Sequence, residues 1–176
     1  MKRDFELKTE RLVIKPLGIK YLETCHEYAS DPENTKYMLH LPADDIEGTR
    51  AFLQSCDEMW LDDNDPEYEC AVLLDGVHIG GISIYLEGDS GELGWIMNKK
   101  YWGNGYIPEA AAAFRDYAIN SLGVRHLIAH CDAENVGSYR VMEKIGMKFV
   151  DKYPGRRNKL TPEGEERYEL LYKLDV

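Results

Sequence analysis

The sequence predicts an α+β fold: a mixed, mostly antiparallel sheet of roughly six to seven strands flanked by about four helices. Three observations carry that expectation. An Asp75-Gly76 dipeptide separates two apolar runs of strand length. A glycine-rich turn, Trp102-Gly103-Asn104-Gly105-Tyr106, follows a third such run. At Pro108 the apolar spacing changes to a helical period.

Bulk numbers bound the rest. The 176 residues fit one ordinary domain, so a single domain is expected over 1–176. At 44% hydrophobic and 30% charged, the chain can bury a core and stay in solution. A net charge of −11 argues against a binder that tracks nucleic-acid phosphates. It is compatible with a cationic small partner, although an acidic surface more often serves solubility alone. Cys25, Cys56, Cys70 and Cys131 form no CxxC pair and have no histidine at metal-ligand spacing, so no metal site is expected and buried thiols are. No signal-peptide core follows the charged start, and no run approaches a membrane span. The expectation is a cytoplasmic protein without membrane or nucleic-acid partners.

Arg11–Leu17 has strand character, and a helix over Ile19–Ala29 ends at the Asp31-Pro32 breaker. A second helix spans Ile46–Leu61, with Phe52, Leu53, Cys56, Met59 and Trp60 on one stripe, before the turn cluster Asp62–Pro66. Cys70–Leu74 and Val77–Tyr85 form a hairpin across Asp75-Gly76, whose positive φ angles suit a type I′ turn. Gly91–Met97 extends the meander. Pro108–Leu122 reads as a helix with Pro108 and Glu109 in its first turn and Gly123 just past its end. Val124–Cys131 is a strand, Asn135–Ile145 a short helix closed by Gly146, and Lys148–Tyr153 and Tyr168–Leu174 are the last strands, joined by the polar loop Pro154–Glu166.

A glycine turn that opens a helix is an anion-binding device. The first helical amides lack intrahelical partners, and the macrodipole adds positive charge there. Lys99-Lys100-Tyr101-Trp102-Gly103-Asn104-Gly105-Tyr106 therefore reads as a pyrophosphate cradle with cations beside it. It lacks the Gly-Lys-Ser/Thr of a Walker loop and the third glycine of a dinucleotide fingerprint. Two glycines at i and i+2 are weak evidence by themselves.

The stretch Trp102–Ala110 resembles motif A of the GNAT acetyltransferase superfamily, and more narrowly the W-G-x-G-Y-x-x-E-A of its ribosomal-protein N-terminal acetyltransferase (RimJ/RimL-like) branch. Thr9-Glu10-Arg11-Leu12, Asn135-x-x-Ser138 and Glu143-Lys144-x-Gly146 support the resemblance in the expected order. Lys100 stands where the superfamily often has Gln or Arg, a mild departure.

The resemblance implies an N-acetyltransferase that uses acetyl-CoA as cosubstrate. It implies cofactor contacts from Trp102, Gly103, Asn104, Gly105, Tyr106 and Lys100. It also implies that the pantetheine arm pairs with the backbone of Trp95, Ile96 and Met97. Asn135 would contact the arm and Ser138 would lie near the sulfur; helix capping explains Asn135 equally well. Many members carry a tyrosine seven residues after the Asn to protonate the departing thiolate, but here that residue is Met142. Ser138 becomes the leading candidate for stabilising the thiolate, with Tyr139 or a water as substitutes. Glu92 sits where related enzymes often carry a carboxylate that takes the amine proton. Glu109 matches the motif, yet the helix dipole accounts for it, so it is assigned to structure.

The acceptor amine is left open between protein N-termini, polyamines, aminoglycosides and other small amines. Candidates on its side are His26, Tyr28, Tyr37, His40 and the acidic stretch Asp57–Glu69, with the two histidines more readily explained as filler. A non-catalytic acyl-CoA-sensing module is the alternative that the missing tyrosine keeps open. A homodimer is compatible with a domain of this size, although nothing in the sequence specifies an interface.

Overall fold

The computed structural model describes residues 2–176. One sheet runs through them: β1 (Leu7–Lys8), β2 (Leu12–Pro16), β3 (Glu67–Leu74), β4 (Val77–Glu87), β5 (Ser90–Met97), β6 (His126–Asp132), β7 (Lys148–Pro154) and β8 (Tyr168–Asp175). Their spatial order is β1-β2-β3-β4-β5-β6-β8-β7. Every neighbouring pair is antiparallel except β5 and β6. The expected class holds with eight strands, one more than the sequence suggests. The additional strand is β1, two residues long, whose pairing with Val13 and Ile14 no periodicity can register.

The hairpin between β3 and β4 turns at Asp75 (φ 49°) and Gly76 (φ 81°), so both central residues adopt the angles that a type I′ turn demands. Four helices accompany the sheet: α1 (Leu22–Ala29), α2 (Ile46–Met59), α3 (Tyr106–Ser121) and α4 (Val136–Lys144). The first expected helix is thus shorter, because Ile19–Tyr21 is a separate 3₁₀ turn. On α2 the buried stripe is Thr49, Leu53, Cys56 and Met59; Phe52, expected on it, is exposed.

The helices cover opposite faces. Tyr28 of α1 reaches Gly81 on β4, whereas Cys70 lies close enough to Tyr117 of α3 to raise its pKa, and Cys70 and Ala71 alternate across β3 with Ala71 opposite Gly81. Phe114, Ile14, Ile79, Ile82, Leu127 and Met142 are fully buried in the core between these layers. The four cysteines are buried and unpaired. Among the described residues no helix is long and apolar enough to cross a membrane.

Candidate active site

β5 and β6 pair only at Ser90–His126, Gly91–Leu127 and Glu92–Ile128. Beyond that point β5 stays with β4 to Met97 and β6 stays with β8 to Asp132, so the two strands part. A cleft of about 760 Å³ fills the gap, walled by Trp95 and Met97 on one side and by His130, Cys131, Asn135 and Ser138 on the other. The Asn98 amide donates to the Ile79 carbonyl at 2.9 Å, which fixes the phase of the β4–β5 ladder. Hydrogen-bonded positions alternate from there, so the peptide groups of Ile96 face β4 while those of Trp95 face the open gap. Of the three residues expected to line the cofactor arm with backbone, Ile96 therefore offers only its side chain. The Met97 carbonyl is already taken, by Asn34 Nδ2 at 3.1 Å and by Trp102 Nε1 at 2.8 Å.

That indole bond ties the glycine turn to the end of β5. Gly103 and Gly105 both take positive φ, at 77° and 76°, and Gly105 is the N-cap of α3 with no side chain capping it. The helix consequently starts at Tyr106, two residues before the expected Pro108. The amides of Gly103, Asn104, Gly105 and Tyr106 have no acceptor among the described residues. Arg11 braces the turn from outside. Its Nη1 donates to the Asn104 carbonyl at 3.0 Å, its Nε to Glu109 at 2.7 Å, and its guanidinium stacks 4.6 Å from the Tyr106 ring centre. Lys100 is drawn away, pairing with Glu27 on α1, and Lys99 pairs with Asp31 at 2.8 Å and Glu33 at 2.7 Å.

Cations at the cleft come from elsewhere. Arg140 and Lys144, one turn apart on α4, both line it, as do Lys36 and Arg156. The first two were legible as an i,i+4 cationic pair between Asn135 and Gly146, a signal that sequence reasoning passed over.

At the point of parting, Glu92 Oε1 lies 2.8 Å from His130 Nδ1. The carboxylate raises the pKa of His130, and the imidazole holds the Glu92 carboxyl below its usual range. His130 is a further site residue that the sequence did not suggest. Deeper in, Asn135 caps α4 through the Ser138 amide at 3.2 Å, and Ser138 and Asn135 both face the cleft beside Cys131. Burial pushes the Cys131 thiol up to about 11, so it stays protonated and inert near neutrality. Met142 points into the core and Tyr139 packs against that core without lining the cleft, which leaves Ser138 as the hydroxyl at this wall.

Of the acceptor-side candidates, Tyr37 alone lines the cleft. Tyr28 is buried, and His26 bonds Thr49 Oγ1 at 2.8 Å. The loop after α1 that carries Tyr37 is strapped down by residues between β7 and β8. Asn158 Nδ2 donates to the carbonyls of Lys36 and Met38 at 2.9 and 2.8 Å, and Arg156 Nη2 donates to that of Tyr37 at 3.2 Å.

The model of the Acetyltransferase (GNAT) domain matches residues 11–148. The chain is 31% identical over 168 residues to YnaD of Bacillus subtilis (strain 168), an uncharacterised N-acetyltransferase, covering 94% of each. A GNAT-family acetyltransferase from Bacillus anthracis superposes with a TM-score of 0.78 at 32% identity, over 97% of this chain and 98% of that one. RimL, a ribosomal L7/L12 alpha-N-protein acetyltransferase crystallised with coenzyme A, superposes with a TM-score of 0.81 at 12% identity, over 98% of each chain, a likeness of fold alone.

Proposed function

The chain belongs to the GNAT acetyltransferase family, and from that premise we propose that it moves the acetyl group of acetyl-CoA directly to a primary amine within a ternary complex. The observation that carries this reading is the continuity of the cleft. It runs from the unpartnered amides of the glycine turn, along the open edge of β5, to the Glu92–His130 pair.

The residues present fit the cofactor. Free amides at a helix N-terminus suit a pyrophosphate, and Arg140 and Lys144 on the facing helix add counter-charge. The amide and carbonyl of Trp95 suit an amide-bearing arm laid along the strand. Bound there, acetyl-CoA supplies the activated acetyl carbonyl.

The chain's own groups then handle protons. Glu92 accepts from His130 Nδ1, which leaves Nε2 as the lone-pair nitrogen, and among the described residues Nε2 has no partner. We assign it to take the proton of the acceptor amine, with Glu92 as the group that sets its tautomer. Ser138, beside Asn135 on the same wall as His130, is placed to donate a hydrogen bond that stabilises the departing sulfur. Glu92 thereby keeps a role, but through the imidazole and not as the direct base.

The test is release of free thiol from acetyl-CoA with a panel of polyamines, aminoglycosides, amino acids and N-terminal peptides. Turnover with at least one amine, lost in His130→Asn, supports the reading. Binding of coenzyme A with no turnover on any amine would overturn it in favour of an acyl-CoA sensor.

A further inference from the structure

One wall of the cleft is built without helix or strand. The chain between α1 and α2 carries Lys36, Tyr37 and Met38, and all three line the cleft. Main-chain bonds here are local: the Thr35 amide donates to the Asp31 carbonyl at 3.0 Å and the Met38 amide to the Thr35 carbonyl at 2.9 Å. A single side chain from the loop between β7 and β8 gathers the carbonyls of this wall. Asn158 Nδ2 donates to Met38 at 2.8 Å, to Lys36 at 2.9 Å and to Thr35 at 3.3 Å. The Tyr37 carbonyl accepts from Arg156 Nη2 at 3.2 Å. Among the described residues no main-chain hydrogen bond joins the two loops, so side chains set the distance between them.

The opposite end of the Asn158 head group folds its own loop. Its Oδ1 accepts from the Leu160 amide at 2.9 Å and from the Thr161 hydroxyl at 3.2 Å. Arg157 closes the same loop by donating to the carbonyls of Pro162 and Glu165. A side-chain amide carries two donor hydrogens and an acceptor oxygen on one planar head, which lets Asn158 serve both loops at once. Asn158 does not itself line the cleft, whereas Arg156 does, and the Arg156 charge bears on His130. The strapped wall therefore stands at the reacting end of the cleft.

We propose that Asn158 is a positioning residue for the acceptor amine, acting through Lys36, Tyr37 and Met38 without touching the amine. This rests on the acetyl-transfer reading above. Asn34 pins the same segment from its other side, but its bonds to the Met97 carbonyl and the Lys99 amide steady the cofactor strand as well. Asn158 bonds only the acceptor wall and its own loop. Misplacing a positioned group by about 1 Å can cost up to about 10²-fold in rate, so a wall without regular structure needs such a strap.

The experiment uses Asn158→Asp in the full-length protein. The variant keeps an oxygen for Leu160 and Thr161 and turns the donating nitrogen into an oxygen that repels the wall's carbonyls. Hydrogen exchange read by mass spectrometry should quicken across 31–45 and stay constant across 98–106. For the amine turned over best in the panel above, KM should rise about tenfold while kcat at saturation changes less than about twofold. The Kd for coenzyme A should not move. Should Asn158→Asp lower Tm by more than about 5 °C, Asn158→Ser, whose hydroxyl can still accept from the loop amide, is held to the same criteria. Unchanged exchange across 31–45 or an unchanged amine KM would overturn the assignment. So would a matching loss of coenzyme A affinity, the mark of general loosening. If the parent protein acetylates no amine, the acetyl-transfer reading falls, and the strap stands or falls on the exchange result alone.

Discussion

His130 Nδ1 meets Glu92 Oε1 at 2.8 Å, two residues past Ile128, the partner of Glu92 on the last rung of β5 and β6, and the bond joins residues 38 apart in the chain. The pair closes the sheet at the point where the cleft begins. Because Glu92 raises His130, the imidazole stays protonated to a pH above the ordinary 6.5, with Glu169 adding to the shift and Arg156 opposing it. A base must be neutral, so kcat/KM should climb with pH through that raised value. In Glu92→Gln the main cause is removed, and the acidic limb should move to lower pH while the plateau falls. His130→Asn should lose about 10²-fold in kcat. A pH–rate profile whose limb is unmoved in Glu92→Gln would detach the pair from the chemistry.

Ser138→Ala should lower kcat by about 10²-fold, with acetyl-CoA affinity nearly constant. Steady-state kinetics together with direct titration of the cofactor separate the two effects. Full turnover in the variant removes Ser138 from the mechanism.

Coenzyme A at a hundred times its Kd should stabilise the protein by about 2.7 kcal/mol, raising Tm by roughly 5–10 °C. Gly105→Val should abolish the shift, because φ of 76° is denied to a β-branched residue and a Cβ there would lie 3.6 Å from Arg11 Nη2, beside the brace of the turn. A scanning-fluorimetry shift that survives in this variant means the phosphate seat lies elsewhere.

Glu109 gathers three donors: the Thr9 hydroxyl, the Arg11 amide at 2.9 Å and Arg11 Nε at 2.7 Å. Burial alone would raise its carboxyl, but these donors outweigh it and the pKa is lowered. A lowered folded-state pKa contributes stability above the unfolded value near 4.3 and loses it as pH falls through the folded one. Glu109→Gln should therefore cost about 1–3 kcal/mol at pH 7 and much less near pH 3. Urea denaturation at the two pH values reads the difference.

What the sequence disclosed was local. Asp75-Gly76 names its turn because both φ angles are set by the dipeptide itself. Gly103 and Gly105 announce a seat for an anion because unpartnered amides follow from helix geometry. Contacts made across the sheet were hidden. The Glu92–His130 bond depends on the register of the one parallel pair, which no local pattern discloses. Lys100, to which the resemblance gives a cofactor contact, pairs with Glu27 on α1, a contact between elements far apart in the chain. Glu109 does more than complement a dipole: it fastens Arg11 to α3.

The Trp102 indole and the Asn34 amide have one further consequence through the Met97 carbonyl they occupy. With Met97 half-claimed and Ile96 turned toward β4, the stretch of β5 that can grip an arm is fixed in length by main-chain geometry. For the proposed transfer, the strand works as a measuring rod between phosphate seat and reacting carbon. A thioester carrier one methylene longer or shorter presents its carbonyl out of step with His130. Substitutions of side chains cannot recalibrate the rod; only an insertion or deletion within β5 can.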